Sequence, residues 1–489
     1  MRVAIIGGGI AGLAAAYELE LARRDGGAIE YELYEAGARL GGVISSSVED
    51  GTVIERGPDS FLTEKPAAAE LCRELGLEGD LVPSNDAERK TFILVGNRLV
   101  ALPDGLMFLV PTKLLPTLLT PLFSWWTKLR MALEVTRAPL GPHPDDGDES
   151  VASLVRRHYG QQAVDRLADP LLSGIYGGEA EKLSARAVLP RLVEMEAKHG
   201  SLTRGMLAGI KARKAAADPD RDPESVSAQK PLFTTLRYGL QQMVDGLVAR
   251  LDPKRVHVHA PVLGVERDGD GWLVEVRGVR GVVERFDAVI VATPAWAAAE
   301  FLRPVDRELS DELEQIQYSS SATVNLVYDG ADLDPLPEGF GFLVPAVERR
   351  SILACTFLHR KFPGRTAPGK SVLRAFVGGA HNADLLAETD EVLVELVRRD
   401  LMEILQISAE PELVEVQRWP RAMAQYAVGH RDRLERVRPR VAGLPGLHLV
   451  GNAYDGIGIS DCIRLGRKAA WELAATTLRD AQATAQLRR

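Results

Sequence analysis

The chain has 489 residues, 46% of them hydrophobic and 26% charged, with a formal net charge of −9. That length exceeds what one hydrophobic core holds and calls for two or three substructures. The negative balance excludes a general attraction to nucleic acid or an anionic membrane and leaves room only for a local basic pocket. Cys72, Cys355 and Cys462 lie far apart with no CxxC or Cys/His cluster, so no disulfide framework and no metal site are expected, and the count suits a reducing cytoplasm.

The opening Met1-Arg2-Val3-Ala4-Ile5-Ile6 is too short for a signal peptide and runs into glycines, so it reads as a buried strand. Gly7-Gly8-Gly9-Ile10-Ala11-Gly12 follows. A helix is expected over 10–24, with Leu13, Tyr17 and Leu21 at helical spacing. A second strand over 29–35 ends on Glu35, 23 residues after Gly12. A G-x-G-x-x-G turn between strand and helix, with a carboxylate at that distance, is the pattern of dinucleotide binding. Gly7 allows the tight turn, Gly9 lets backbone approach a pyrophosphate, and Gly12 lets the helix pack on the sheet. Glu35 suits a ribose diol, and the free N–H groups of the helix start suit phosphates. The plain alternative is a tight turn with a surface glutamate.

Residues 66–135 look mainly helical. The most apolar stretch, Leu102 to Trp126, is interrupted by Asp104, Lys113 and four prolines, short of the ~20 continuous residues of a spanning helix. It suits contact with a membrane surface, the wall of a pocket for an apolar ligand, or ordinary core helix. Residues 136–149 form a polar connection, helical patterning resumes over 151–206, and residues 212–228 read as an exposed, mobile loop.

Strands dominate from Arg255. Val256 to His259 and Trp272 to Val276 alternate, while Asp287 to Thr293 is continuously apolar, as in a strand covered on both faces. Residues 320–330, 340–345, 351–358 and 371–379 suggest an antiparallel sheet, and a helix is expected at 390–405. Leu447 to Val450 is a last buried strand. It leads into Gly451-Asn452-Ala453-Tyr454-Asp455-Gly456-Ile457-Gly458-Ile459-Ser460-Asp461-Cys462-Ile463, a helix reaching about Leu478 and a frayed tail. Gly456 and Gly458 let backbone approach a flat ring, and Ser460 or Asp461 can cap the helix.

The start, middle and end of the chain thus read as parts of one domain, with insertions between them. The expected fold is α/β. A discontinuous Rossmann-like cofactor-binding domain takes residues 1–65, 231–300 and 441–489. An α+β substrate-binding domain takes 66–110 and 301–440, and a helical insertion domain takes 111–230.

Gly37-Ala38-Arg39-Leu40-Gly41-Gly42, directly after Glu35, resembles the second nucleotide motif of the FAD-dependent amine-oxidase-like superfamily. That superfamily holds amine oxidases, carotenoid desaturases, porphyrinogen oxidases and the non-enzymatic GDP-dissociation inhibitors. Four stretches narrow the resemblance to the porphyrinogen oxidases: Glu55-Arg56-Gly57-Pro58-Asp59-Ser60-Phe61-Leu62, Pro170 to Gly178, Trp419 to His430, and the ending with Asp461-Cys462. Lys65, Ala354-Cys355-Thr356 and Arg374 to Gly378 lean to the soluble bacterial type acting on coproporphyrinogen III. Ala424 and Phe376 depart from the family's usual Pro and Tyr.

The resemblance implies FAD as cofactor. Its contacts would be Gly7, Gly9, Ile10, Ala11, Gly12, Glu35, Ala36, Arg39, Leu40, Gly41 and Gly42 at the first two motifs. Gly57, Pro58, Asp59, Ser60, Val262 and Trp419 follow, and then Gly451, Asn452, Gly456, Ile457, Gly458 and Ile459. It implies an oxygen-dependent, six-electron oxidation of coproporphyrinogen III in haem biosynthesis, with hydrogen peroxide released. No residue is assigned as catalytic, because the flavin N5 takes the hydride. Lys65 would meet a propionate, with Arg56 and Arg204 as weaker candidates, and Ile175, Phe376 and Met423 would pack on the macrocycle. His430 reads as structural rather than as a base, and Cys462 as a buried thiol. Rival readings are a protoporphyrinogen IX oxidase, an amine or carotenoid oxidase, and a binding protein without redox chemistry.

Overall fold

The computed structural model of the chain describes all residues except 108, 139–146, 216–230, 278–281, 334–335 and 488–489. Most of the loop expected at 212–228, and much of the connection at 136–149, therefore lie outside the described residues. The chain forms two compact units. The first holds Met1–Pro83, Leu232–Gln317 and Asp432–Arg489, and the second holds Ser84–Pro231 and Tyr318–Arg431.

The first unit is built on a five-stranded parallel sheet in the order Val256–His257, Glu30–Tyr34, Arg2–Ile6, Ala288–Val291, Leu447–Leu449. Val3, Ala4 and Ile5 in the middle are fully buried, which explains their uninterrupted apolar character. The helix Ile10–Arg24 packs in this core, and the helix Ile459–Leu487 lies along it. Their approach is close: a Cβ on Gly466 would stand 2.1 Å from the Ala11 carbonyl oxygen. Glu18 locks the pair by accepting from Trp471 Nε1 at 2.6 Å and pairing with Arg467. This last helix runs on to Leu487, past the point where the sequence suggested fraying. A three-stranded antiparallel sheet (Val262–Asp268, Gly271–Val276, Val282–Phe286) adds the buried Trp272 and Phe286.

The second unit carries a seven-stranded sheet in the order Leu413–Ala424, Tyr318–Asp329, Lys370–Gly378, Ile352–Phe357, Gly341–Leu343, Thr91–Val95, Arg98–Ala101. Two of these elements differ from the sequence reading. Thr91–Val95 and Arg98–Ala101 are a hairpin inside the stretch expected to be helical, turning at Gly96 and Asn97 with φ of +51° and +62°; two successive positive φ angles match the twist of paired strands. This hairpin joins through Thr91–Val95, which runs parallel to Gly341–Leu343, so the whole sheet is mixed, while the four strands expected from the sequence pair antiparallel. Leu413–Ala424 was hidden by Pro420. It is an edge strand whose register shifts opposite Ser319 and Ser321, where a proline without an N–H costs least.

The helices of this unit have a core of their own, including Met131, Leu154, Val155, Leu167, Leu192 and Leu202. A buried polar cluster ties four of them together. His158 on Val151–Tyr159 sets Nδ1 2.8 Å from Glu134 on Trp125–Glu134, and Nε2 2.9 Å from Glu196 on Pro190–His199. Glu134 also accepts from Ser201 Oγ at 2.8 Å and from the Leu202 and Thr203 N–H groups, capping the helix Leu202–Ala215. Among the described residues no helix is long and apolar enough to cross a membrane.

Candidate functional site

The five strands of the main sheet of the first unit run parallel, so their carboxyl ends open on one edge, the place where such sheets receive ligands. Four of the segments that leave this edge are Gly7–Gly12, Glu35–Gly42, Ala292–Pro294 and Gly451–Gly458. Two glycines of the first turn are required by geometry. Gly7 holds φ +107°, and a Cβ on Gly12 would stand 2.0 Å from the Gly7 carbonyl oxygen. A Cβ on Gly9, in contrast, meets nothing within 4 Å. Gly9 is also the N-cap of the helix Ile10–Arg24, with no side chain to take the first-turn N–H groups and no acidic residue in that turn. An open, electropositive helix start of this kind suits a pyrophosphate.

Glu35 braces this turn. Its Oε2 accepts from the Gly8 N–H at 2.7 Å and its Oε1 from the Gly37 N–H at 2.7 Å. Each oxygen keeps further lone-pair capacity for a hydroxyl. The second glycine motif lies on the first, with the Gly41 N–H donating to the Gly8 carbonyl at 2.8 Å. Leu40 covers Gly8, and Ala36 and Gly42 are exposed. Arg39 is turned inward on its own loop, donating to the carbonyls of Leu40 and Ile44 at 3.1 and 2.8 Å and to that of Gly42. Partial burial, and then the charge of Arg56, lower its pKa. Val262 is drawn to the same end of the sheet, because the His259 and Ala260 N–H groups just before it donate to the carbonyls of Gly37 and Glu35 at 2.9 Å.

The Glu55–Leu62 run threads past the same core. Glu55 is fully buried and accepts from Ser46 Oγ and from the Leu240 N–H. Arg56 donates to Ser47 Oγ at 3.1 Å. Gly57 is buried, Pro58, Asp59 and Ser60 are half-buried, and Thr235 Oγ1 donates to the Asp59 carbonyl at 2.7 Å.

At the last turn Gly451 faces open space, as Gly9 does. Asn452 and the run Gly456 to Ile459 follow it, half-buried, into the final helix. Asp461 fills the hollow beside Gly456 and Gly458, and its carboxylate holds the Lys65 ammonium, while Ser460 Oγ donates to the Lys65 carbonyl at 3.0 Å. Ser460 and Asp461 thus serve Lys65, and Lys65 carries an ion-pair partner rather than a free charge. Burial pushes the Cys462 thiol up to about 12.

One polar residue escaped the sequence reading. Thr293 ends the strand pattern that begins at Asp287, and its Oγ1 is buried with no protein partner. Its methyl lies beside Gly7, 3.2 Å from where a Cβ would stand. An orphaned hydroxyl at the sheet edge is what a dinucleotide would satisfy. The open turns, the uncapped helix start, Glu35 and Thr293 together fit such a group.

The remaining candidates lie in the second unit. Ile175, about half exposed, sits near the end of the helix Asp169–Tyr176. Met423 stands opposite Ser319, Trp419 opposite Ser321 and Phe376 opposite Thr323, all along the strand Tyr318–Asp329. Met423 Sδ would meet a Cβ on Gly177 at 3.3 Å, so Met423 and the Ile175 turn are neighbours. Arg204 donates to the carbonyls of Arg137 and His199 and serves the helices. His430 is buried and stacked on Tyr426, with centroids 4.2 Å apart.

Comparison with known proteins agrees with this geometry. Residues 10–474 match the family model described as flavin containing amine oxidoreductase. A coproporphyrinogen III oxidase of Bacillus subtilis is 36% identical over 96% of this chain and 97% of its own. The chloroplastic protoporphyrinogen oxidase 1 of Arabidopsis thaliana is 30% identical over 96% and 87%. A crystal structure from Exiguobacterium sp. 255-15, assigned as a protoporphyrinogen oxidase, superposes with a TM-score of 0.83 at 33% identity, covering 97% of this chain and 99% of that one. The chain therefore belongs to the flavin-containing amine oxidoreductases and is an FAD-dependent enzyme of that family.

Proposed function

We propose that the enzyme oxidises coproporphyrinogen III to coproporphyrin III, with molecular oxygen as the final acceptor. The observation that carries this reading is the 36% identity to the Bacillus subtilis coproporphyrinogen III oxidase across nearly the whole of both chains. FAD supplies a two-electron acceptor; three rounds remove six hydrogens from the porphyrinogen and reduce three oxygen molecules to hydrogen peroxide. The helix start at Ile10 would hold the pyrophosphate, Glu35 the ribose, and the start of the helix Ile459–Leu487 would favour negative charge at the ring. Little acid–base machinery is needed, because pyrrole N–H tautomerism moves protons within the substrate. Ile175, Phe376 and Met423 are the proposed macrocycle contacts, and Lys65 would share its charge between Asp461 and a substrate propionate.

Porphyrin fluorescence followed in parallel with coproporphyrinogen III and protoporphyrinogen IX tests this. Faster porphyrin formation from the copro substrate is expected. A faster proto reaction would transfer the assignment to protoporphyrinogen, and no porphyrin from either would end it.

We also propose a cytoplasmic enzyme that touches a membrane from one side. The apolar stretch first read over 102–126 is in part interior, since Leu109, Val110 and Leu122 are buried. Leu115, Leu119, Trp125 and Trp126 of the same stretch are exposed, as are Leu129 and Leu133 just beyond it. Trp126, Leu129, Arg130 and Leu133 share one outward face of the helix Trp125–Glu134. Adjacent exposed tryptophans with Lys113 and Arg130 nearby suit a lipid headgroup region.

A further inference from the structure

We infer that Gln425 is a positioning residue whose side-chain amide fixes the spacing between the Ile175 turn and Met423. The inference rests on the reading above, in which those two residues face the porphyrinogen. The helix Asp169–Tyr176 ends at Gly177, which takes the left-handed conformation with φ +59°. Such an end leaves carbonyls without helical partners. The Tyr176 carbonyl is one of them, and Gln425 Nε2 donates to it at 2.6 Å. The same nitrogen lies 3.0 Å from Ser319 Oγ and 3.1 Å from the Met423 carbonyl. Three oxygens around one nitrogen leave no doubt which end of the amide points there.

The fit admits nothing larger. A Cβ on Gly178 would stand 2.1 Å from Gln425 Oε1, so a glycine at 178 is what lets this side chain in. The other carbonyls of the turn are already used. Gly177 accepts from the Ala380 N–H at 2.9 Å, and Gly178 from Ser173 Oγ at 3.0 Å. Gln425 therefore makes a direct side-chain link between the substrate-side helix and the end of the strand Leu413–Ala424. Because Met423 packs over Gly177, a change in that link alters the gap two residues away at Ile175.

The discriminating variant is Gln425→Glu, which keeps the shape but sets a carboxylate against the Tyr176 and Met423 carbonyls, which can only accept. The FAD-loaded full chain is assayed for kcat and KM with coproporphyrinogen III, beside flavin absorbance and melting temperature. The expected result is a KM raised about tenfold, with kcat changed less than about threefold and the flavin content retained. Ser319→Ala removes one of the three acceptors and should raise KM in the same direction by less. If Gln425→Glu does not fold, the KM of Ser319→Ala decides. An unchanged KM in the folded variants, or losses that simply follow lost flavin, would overturn the inference. A wild-type enzyme inactive on both porphyrinogens would instead overturn the functional reading beneath it.

Discussion

Gly9 and Gly12 lie three residues apart, and the structure gives them opposite burdens. Gly12 has backbone 2.0 Å from where a Cβ would be, and Gly9 has only open space. Gly12→Ala should cost ~3 kcal/mol or more through overpacking and appear as lost soluble protein or a much lower melting temperature. Gly9→Ala should melt like the wild-type apoprotein and lose flavin, read as the ratio of flavin to protein absorbance after gel filtration. Full flavin retention in Gly9→Ala would remove this turn from the cofactor site. At this scale the glycines and Glu35 were legible because each demand, close backbone or a carboxylate at a strand end, permits few residue types. Thr293 was not, since a threonine after a strand has many ordinary uses and only its missing partner marks it.

Between elements, the joints are polar and invisible to periodicity. The cluster around His158 is the clearest. A neutral imidazole has one N–H, but both ring nitrogens face carboxylates, so the ring carries its proton in the folded state. Burial alone would lower the His158 pKa; Glu134 and Glu196 outweigh it and raise it. Burial would raise the two carboxylates, yet His158 helps to hold each at about 2. The charged groups around the ring are Glu134, Glu196 and Arg157, the last donating to Glu149 and Glu196. The histidine's contribution is full below its ordinary 6.5 and is lost as pH rises through the raised value. The carboxylates contribute above their ordinary 4.5 and lose it as pH falls toward about 2. Melting temperature should therefore plateau between these limits and fall on the alkaline side, and His158→Gln should lower the plateau and flatten that fall. An identical alkaline slope in the variant would assign the loss to other groups. Among the helices and strands themselves, long apolar runs such as Ala288–Val291 were plain from sequence. The Thr91–Ala101 hairpin was not, because Gly96-Asn97 was passed over as a turn signal.

On a chain of net charge −9, the described residues Leu115, Leu119, Trp125, Trp126, Leu129 and Leu133 present an exposed apolar surface. Sedimentation with liposomes of neutral lipid should carry the protein down, and Trp125→Ser with Trp126→Ser should leave it in the supernatant while porphyrin formation in free solution persists. Wild-type protein that stays wholly in the supernatant would refute the attachment. The shared sheet was readable in outline, since strand–glycine–helix patterns at both ends and an apolar strand between them pair with one another. How the middle segments group was less so, because the helices of 114–215 share a unit with strands far along the chain, and no local pattern announces that.

The strand Arg2–Ile6 lies at the centre of its sheet, yet the outer strand Leu447–Leu449 and the helix that covers Ile10–Arg24 come from the far side, in sequence, of every segment of the second unit. The turn Gly7–Gly12 therefore has no complete sheet behind it until Leu447–Leu449 has been made. A chain cut before Leu447 would lack that edge strand, the Gly451 turn and the covering helix, and is expected to hold no flavin.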